Sequence, residues 1–294
     1  MTYREHRSYS LIHSIYSSRK LHAVPVFILL LLTVCSPVQA QREFRVYPSF
    51  EGHEADAPLP ADWDVPGEIV VGRLMYPGGR FGWFGGDWRQ GNTSWTDDYP
   101  RGDRTLVQML RRYTSSSVRA VEQPVNIEEV DDIFYWPFMI VGLASPWELT
   151  DEMASNLREY LLRGGFLFCD SFFGSRDWII FEASLRKVFP DRPVIDVPDN
   201  HPIFHTAFDL PDMSTVQIPN WNSLRRGGTG YLGDGAVPRW RGITDDEGRL
   251  MMLIAFNNDV ADGWQWADDP HYPSDEANLS LRLGVNVVIY DLTH

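Results

Sequence analysis

The sequence predicts an α/β fold, a three-layer sandwich built on a mostly parallel sheet with helices on both faces. Three observations carry this. Short apolar runs without polar alternation recur along the chain: EIVVGRLMY (68–76), FMIVG (138–142), FLFC (166–169) and LMMLIAF (250–256). Such runs suit strands buried on both sides. Stretches with apolar residues at helical spacing lie between them, and tight turns join the two kinds of segment.

In chain order, 68–76 is the first strand. Asp97-Asp98-Tyr99-Pro100 then opens a helix, with aspartate as its N-cap and proline in its first turn; Leu106, Met109, Leu110 and Tyr113 form one face. Residues 121–127 read as a short strand and 138–142 as a buried one. Thr150 caps a helix whose core side is Met153, Leu157, Tyr160 and Leu161, and Gly164-Gly165 end it. The next strand is 166–169, followed by a helix marked by Trp178, Phe181, Leu185 and Val188. Residues 193–197 make a short strand, 250–256 a buried one, and about 275–292 a last helix with Gly284 as its weak point. Residues 204–249 break the rhythm and read as an excursion or hairpin over one sheet edge.

Residues 1–40 read as a signal peptide. Arg4, Arg7, Arg19 and Lys20 precede the apolar run 24–34, and Val38-Gln39-Ala40 supplies the small residues of a cleavage site. Cleavage near Ala40 would place the protein in the periplasm or outside the cell, with no transmembrane helix in the mature chain. Residues 41–66 are an aperiodic extended leader, and 67–294 a single domain. Net charge is −14, and the segment to be removed is basic, so nucleic acid and anionic membranes are poor partners. A cation is a better one. Without Cys35, Cys169 is alone, and burial is the safest place for it.

In an open α/β sheet, ligands bind beyond the carboxyl ends of the strands. The ligand-binding candidates there are Asp98, Asp103, Asp170, Ser171, His201, His205, Asn258, Asp259, Asp262 and Trp264. Asp98 also suits an N-cap, and Asp103 a first-turn carboxylate facing the helix dipole. His201 and His205, four apart, share a face on a helix or an extended segment. With Asp170 they form the candidate site for a divalent metal, the one cofactor the pattern suggests. Ser171 as a nucleophile lacks the G-x-S-x-G elbow. Asp259, Asp262, Asp268, Asp269 and Asp275 have the wrong spacing for an EF-hand and read as a solvated acidic face. Phe81, Trp83, Phe84, Trp88 and Trp95 form an aromatic, glycine-rich loop, either a lid over the strand ends or a stacking platform.

Blocks along nearly the whole mature chain resemble the bacterial domain-of-unknown-function family 4159 (DUF4159). They include WTDDYPRGDR (95–104), LTDEMASNLREYLLRGGFLFCDSFFG (149–174), NHPIFH (200–205) and NNDVADGWQWADDPHYP (257–273). The resemblance implies a flavodoxin-like, class I glutamine amidotransferase-like fold. The amidotransferase triad does not carry over, because the chain has neither a G-x-C-x-G elbow nor a His-x-Glu pair. The family's usual second aspartate at this turn is Ser171 here, which weakens any metal site built on the pair. The resulting expectation is an exported, non-glutaminase domain that binds a ligand at the strand ends, with no assigned catalytic residue. Its partner would be a small molecule, a carbohydrate or an envelope protein. A metal-assisted hydrolase and a scaffold module of an envelope complex are the alternatives.

Overall fold

The computed structural model describes residues 44–78 and 86–294. Residues 1–40, expected to be a signal peptide, and Phe81, Trp83 and Phe84 of the aromatic loop lie outside them. The strands are β1 (Gly72–Met75), β2 (Gln123–Asn126), β3 (Phe138–Val141), β4 (Phe166–Phe172), β5 (Ile195–Asp196), β6 (Arg239–Thr244) and β7 (Leu250–Phe256). The helices are α1 (Arg101–Tyr113), α2 (Val130–Ile133), α3 (Asp151–Leu162), α4 (Gly174–Val188), α5 (Trp221–Arg225), α6 (Val260–Gln265) and α7 (Ser274–Thr293).

The sheet order is β2-β1-β3-β4-β7-β6-β5. Strands β2, β1, β3, β4 and β7 are parallel, and β6 and β5 add an antiparallel edge. In that edge, β5 is the short strand expected at 193–197, and β6 belongs to the 204–249 excursion. The α/β sandwich is thus as the sequence predicts, and its strand order is consistent with a flavodoxin-like arrangement.

Two apolar cores separate the layers. One joins α3 and α4 to Leu74, Met139, Leu167 and Met252; the other joins α1, α6 and α7 to Val71, Ile140, Phe168 and Leu253. Strand residues alternate between the two cores, as the pleat requires. Thr150 caps α3 by accepting from Met153 N–H at 3.2 Å. Gly284, read from sequence as a weak point of α7, is instead a close-approach point. A Cβ there would lie 2.6 Å from Leu106 and 2.9 Å from Trp264, so glycine lets α7 press on α1 and α6.

Asp98 corrects another expectation. The first residue of α1 is Arg101, and no side chain caps it. The Asp98 backbone is left-handed (φ 60°), which frees its carboxylate to point elsewhere. Helix α6 is not among the helices expected from sequence, because its six residues are too few to show a period.

Candidate functional site

Three loops meet at the carboxyl edge of the sheet. The loop after β1 brings Asp97 and Asp98, the end of β4 brings Asp170 and Ser171, and the turn after β7 brings Asp259 and then Asp262 in α6. The ends of β4 and β7 are tied together: Asn257 N–H donates to Phe172 O at 3.0 Å, and Asn257 Oδ1 accepts from Gly174 N–H at 2.8 Å. Ser171 (φ 64°) and Asn257 (φ 62°) are both left-handed, as Asp98 is. Residues held in such conformations without glycine concentrate at functional sites.

These groups are sealed from solvent. Asp98, Asp170, Ser171, Asp259 and Asp262 are each 5% exposed or less. One carboxylate oxygen from each of Asp98, Asp259 and Asp262 lies within 4.8 Å of the others. Ser171 Oγ sits 2.9 Å from Asp259 Oδ1, 3.3 Å from Asp98 Oδ2 and 3.5 Å from Asp170 Oδ2, so one hydroxyl is shared among three carboxyl groups. Asn220 Nδ2 donates to Asp259 at 2.8 Å and to Asp262 at 3.3 Å. Asp262 also accepts from Trp221 N–H (2.6 Å) and Trp266 Nε1 (3.0 Å). Among the described residues, no arginine or lysine hydrogen-bonds to these three carboxylates.

Burial first, then the neighbouring charges of Asp97, Asp262 and Asp259, hold the Asp98 carboxyl well above the usual range. Burial and Asp259 do the same to Asp262. Asp259 is also raised by burial, against the pull of its Asn220 and Ser171 hydrogen bonds.

Asp170 has a different task. Its two oxygens accept from Val260 N–H (3.1 Å) and Ala261 N–H (2.7 Å), the first turn of α6. Burial and Asp259 push it up to about 8. It therefore anchors the helix that carries Asp262, rather than the one beginning at Gly174.

The histidines do not join this edge. His201 Nδ1 accepts from Ile203 N–H, and its ring packs 5.5 Å from that of Tyr290. Tyr290 Oη in turn accepts from Leu250 N–H at the start of β7. Asp259 lies beyond the other end of that strand, roughly 20 Å away at about 3.3 Å per residue. His205 is held by Asp209 and by Asp199 O. The metal set Asp170, His201 and His205 is thus not assembled: spacing fixed which face the histidines share, not which end of the sheet they occupy.

Other candidates serve the fold. Asp103 is paired with Arg73 (Nε–Oδ2 2.9 Å), with both side chains fully buried. Asn258 Oδ1 accepts from Ile218 N–H, and Trp264 Nε1 donates to Ser280 O inside the second core. Asp259 and Asp262 are no solvated face, although Asp268 is exposed, as read. Trp88 and Trp95 are buried, so these two offer no stacking platform. Cys169 is buried in mid-strand, and burial with Asp170 beside it pushes its thiol well up, so it is inert.

Sequence reasoning missed Glu51, Asn220 and Gln265. Glu51 Oε2 accepts from Asp98 N–H at 2.8 Å and from Gln265 Nε2 at 3.3 Å. Asn220 caps α5 by accepting from Ser223 N–H, and its P-N-W-N-S context carried that signal and no more. A half-open cleft of about 500 Å³ beside Trp178, Arg192 and Arg241 lies along α4 and the antiparallel edge, and contains none of the carboxylates above.

Residues 87–292 match the family described as Domain of unknown function (DUF4159), and the chain belongs to it. A search of curated proteins finds no match. Asp98, Asp170, Asp259 and Asp262 lie within the matched stretch, whereas Glu51 and Arg73 precede it.

Proposed function

We propose that this chain is an exported domain that binds a hard divalent cation between Asp98, Asp259 and Asp262 and uses it to hold an oxygen-bearing ligand. The observation carrying this reading is the triad itself: three buried carboxylates with oxygens inside 4.8 Å and, among the described residues, no arginine or lysine hydrogen-bonded to them. Oxygens around one such ion, at about 2.0–2.6 Å from it, lie no more than about 5 Å apart. An all-oxygen set suits Mg²⁺, Ca²⁺ or Mn²⁺ rather than zinc. An ion also resolves the electrostatics, since isolated buried carboxylates otherwise keep their protons.

The export part of the reading rests on residues 1–40. The strand order, and Ser171 held at φ 64° where a strand runs into a helix, favour an amidotransferase-like ancestry. A buried Cys169 argues against glutaminase chemistry. Ser171 Oγ among the carboxylates favours a second reading, metal-assisted hydrolysis, for which a cation supplies Lewis acidity and an acidified water.

The test is titration calorimetry of the full chain, stripped with a chelator, against Mg²⁺, Ca²⁺ and Mn²⁺. One site per chain is expected, lost in Asp259→Asn while the fold is kept. Absence of binding for all three ions would sink the proposal.

A further inference from the structure

Three arginines from separate stretches of the chain, Arg186, Arg192 and Arg241, line the cleft between α4 and the antiparallel edge. Its volume of about 500 Å³ falls within the roughly 300–1,000 Å³ usual for small-molecule sites. Arg241 borders it from β6, Trp178 from α4, and Val194 from the segment that leads into β5. Asp98, Asp259 and Asp262 do not border it, so what binds here is independent of a cation at the carboxyl edge.

Two arginines elsewhere in the chain show what is unusual here. Arg89 grips Glu128 through two nitrogens at 2.7 and 2.6 Å, and Arg158 grips Asp191 at 2.7 and 2.8 Å. Arg241 is less exposed than either, its side chain 24% accessible against 44% and 30%. Yet its guanidinium donates no hydrogen bond among the described residues. Its Nε only approaches Asp196 Oδ1, at 3.4 Å, and that side chain is largely exposed. Stacking holds the guanidinium instead: it lies 4.0 Å from the Trp178 ring and 5.1 Å from that of Phe256. Arg192 is incompletely satisfied too. It donates to Thr244 O at 3.1 Å and pairs with the exposed Asp246 at 2.8 Å, while its Nε–H is buried with no acceptor. Arg186, largely exposed and paired with Glu182 one turn earlier, makes an ordinary surface pair.

We infer that this cleft binds a small organic oxyanion, a carboxylate or phosphate carried on an apolar body, with Arg241 as its grip. A guanidinium fork already set by stacking on an indole matches two oxygens of either group and loses little side-chain freedom on binding. Arg192 adds positive charge to the same cleft, and the half-buried Trp178 and Val194 receive the apolar body.

The experiment is calorimetry on the chelator-treated full-length chain with three probes of similar shape: phenyl phosphate, benzoate and the neutral benzyl alcohol. One anion per chain is expected, with benzyl alcohol much the weakest; stronger binding of phenyl phosphate assigns phosphate esters as the ligand class, and stronger binding of benzoate assigns carboxylates. Arg241→Met, which keeps an apolar cover on Trp178, should weaken anion binding about ten- to a hundredfold, the loss of hydrogen bonds between charged groups. Circular dichroism establishes that the variant is folded. Asp259→Asn should bind the anion as wild type does. Failure of both anions to bind, equal binding of benzyl alcohol, unchanged affinity in Arg241→Met, or loss of binding in Asp259→Asn would each overturn the inference. Should Arg241→Met not fold, the wild-type chain decides: the anion must shift the Arg241 Nε–H resonance in nitrogen-15 spectra, and an unmoved resonance overturns the inference.

Discussion

Two sets of buried carboxylates lie side by side at the start of α1, and the fold treats them differently. Asp103 and Glu122 each face an arginine: Arg73 grips Asp103 through two nitrogens, and Arg104 meets Glu122 at 3.1 Å. Burial still raises both acids, to about 7 for Glu122, but the arginines pull against it. Among the described residues, Asp98, Asp259 and Asp262 have no arginine or lysine hydrogen-bonded to them, although Arg73 and Asp98 attract each other at longer range; Asp98 and Asp262 also feel the repulsion of neighbouring acids. For Asp103 and Glu122 the fold itself supplies the counter-charge; for Asp170 it supplies two backbone amides. On the proposed cation reading, the counter-charge for the three acids within 4.8 Å of one another comes from solution.

The largest expected effect strikes the paired set. Arg73→Met removes the only described ion-pair partner of Asp103 and should destabilise the domain by about 3–5 kcal/mol, cation or no cation. Chemical denaturation measures this; a loss below about 1 kcal/mol would mean that the pair contributes no more than a surface one.

An intermediate effect comes from pH. Burial raises Asp170 to about 8 and Glu51 to about 7, so between the unfolded carboxylate range and those values the folded chain holds protons that the unfolded chain releases. Stability of the chelator-treated protein should therefore be greatest near pH 4–5 and fall as pH rises toward 8, by at most about 1.4 kcal/mol per pH unit for each group. Glu122 adds to the fall whether or not an ion is present. Saturating Mn²⁺ should flatten the slope, because the ion favours the ionised acids. Melting curves across pH with the same slope in chelator and in Mn²⁺ would break the contrast between the two sets.

The smallest effect separates them most finely. Asp98→Asn keeps a residue that tolerates φ 60° and replaces a carboxyl that burial disfavours as an anion. In chelator its stability should match or exceed wild type by up to about 1 kcal/mol, while Mn²⁺ binding is lost. The equivalent change in the paired set, Asp103→Asn, should destabilise in chelator, since it strands Arg73.

Much of this was legible in the chain. Apolar runs and helical spacing place the sheet and most helices, because burial on both faces leaves a compositional trace. Asp98, Asp170, Ser171, Asp259 and Asp262 were named from strand ends alone, since the fold class fixes where loops converge. Their roles were not legible. Whether Asp98 caps α1 turns on one backbone torsion, and whether Asp170 anchors α6 depends on a helix too short to announce itself. His201 and His205 misled because a shared face says nothing of depth along the sheet. Glu51 was invisible because an aperiodic leader carries no burial signal, although its hydrogen bond to Asp98 spans 47 positions.

The most direct measurement is a crystal of the full chain grown or soaked in Mn²⁺, with anomalous scattering recorded at the manganese edge. A single strong peak within about 2.0–2.6 Å of oxygens from Asp98, Asp259 and Asp262 is the predicted result. Peaks confined to exposed acids such as Asp268, or none at all, would contradict the account.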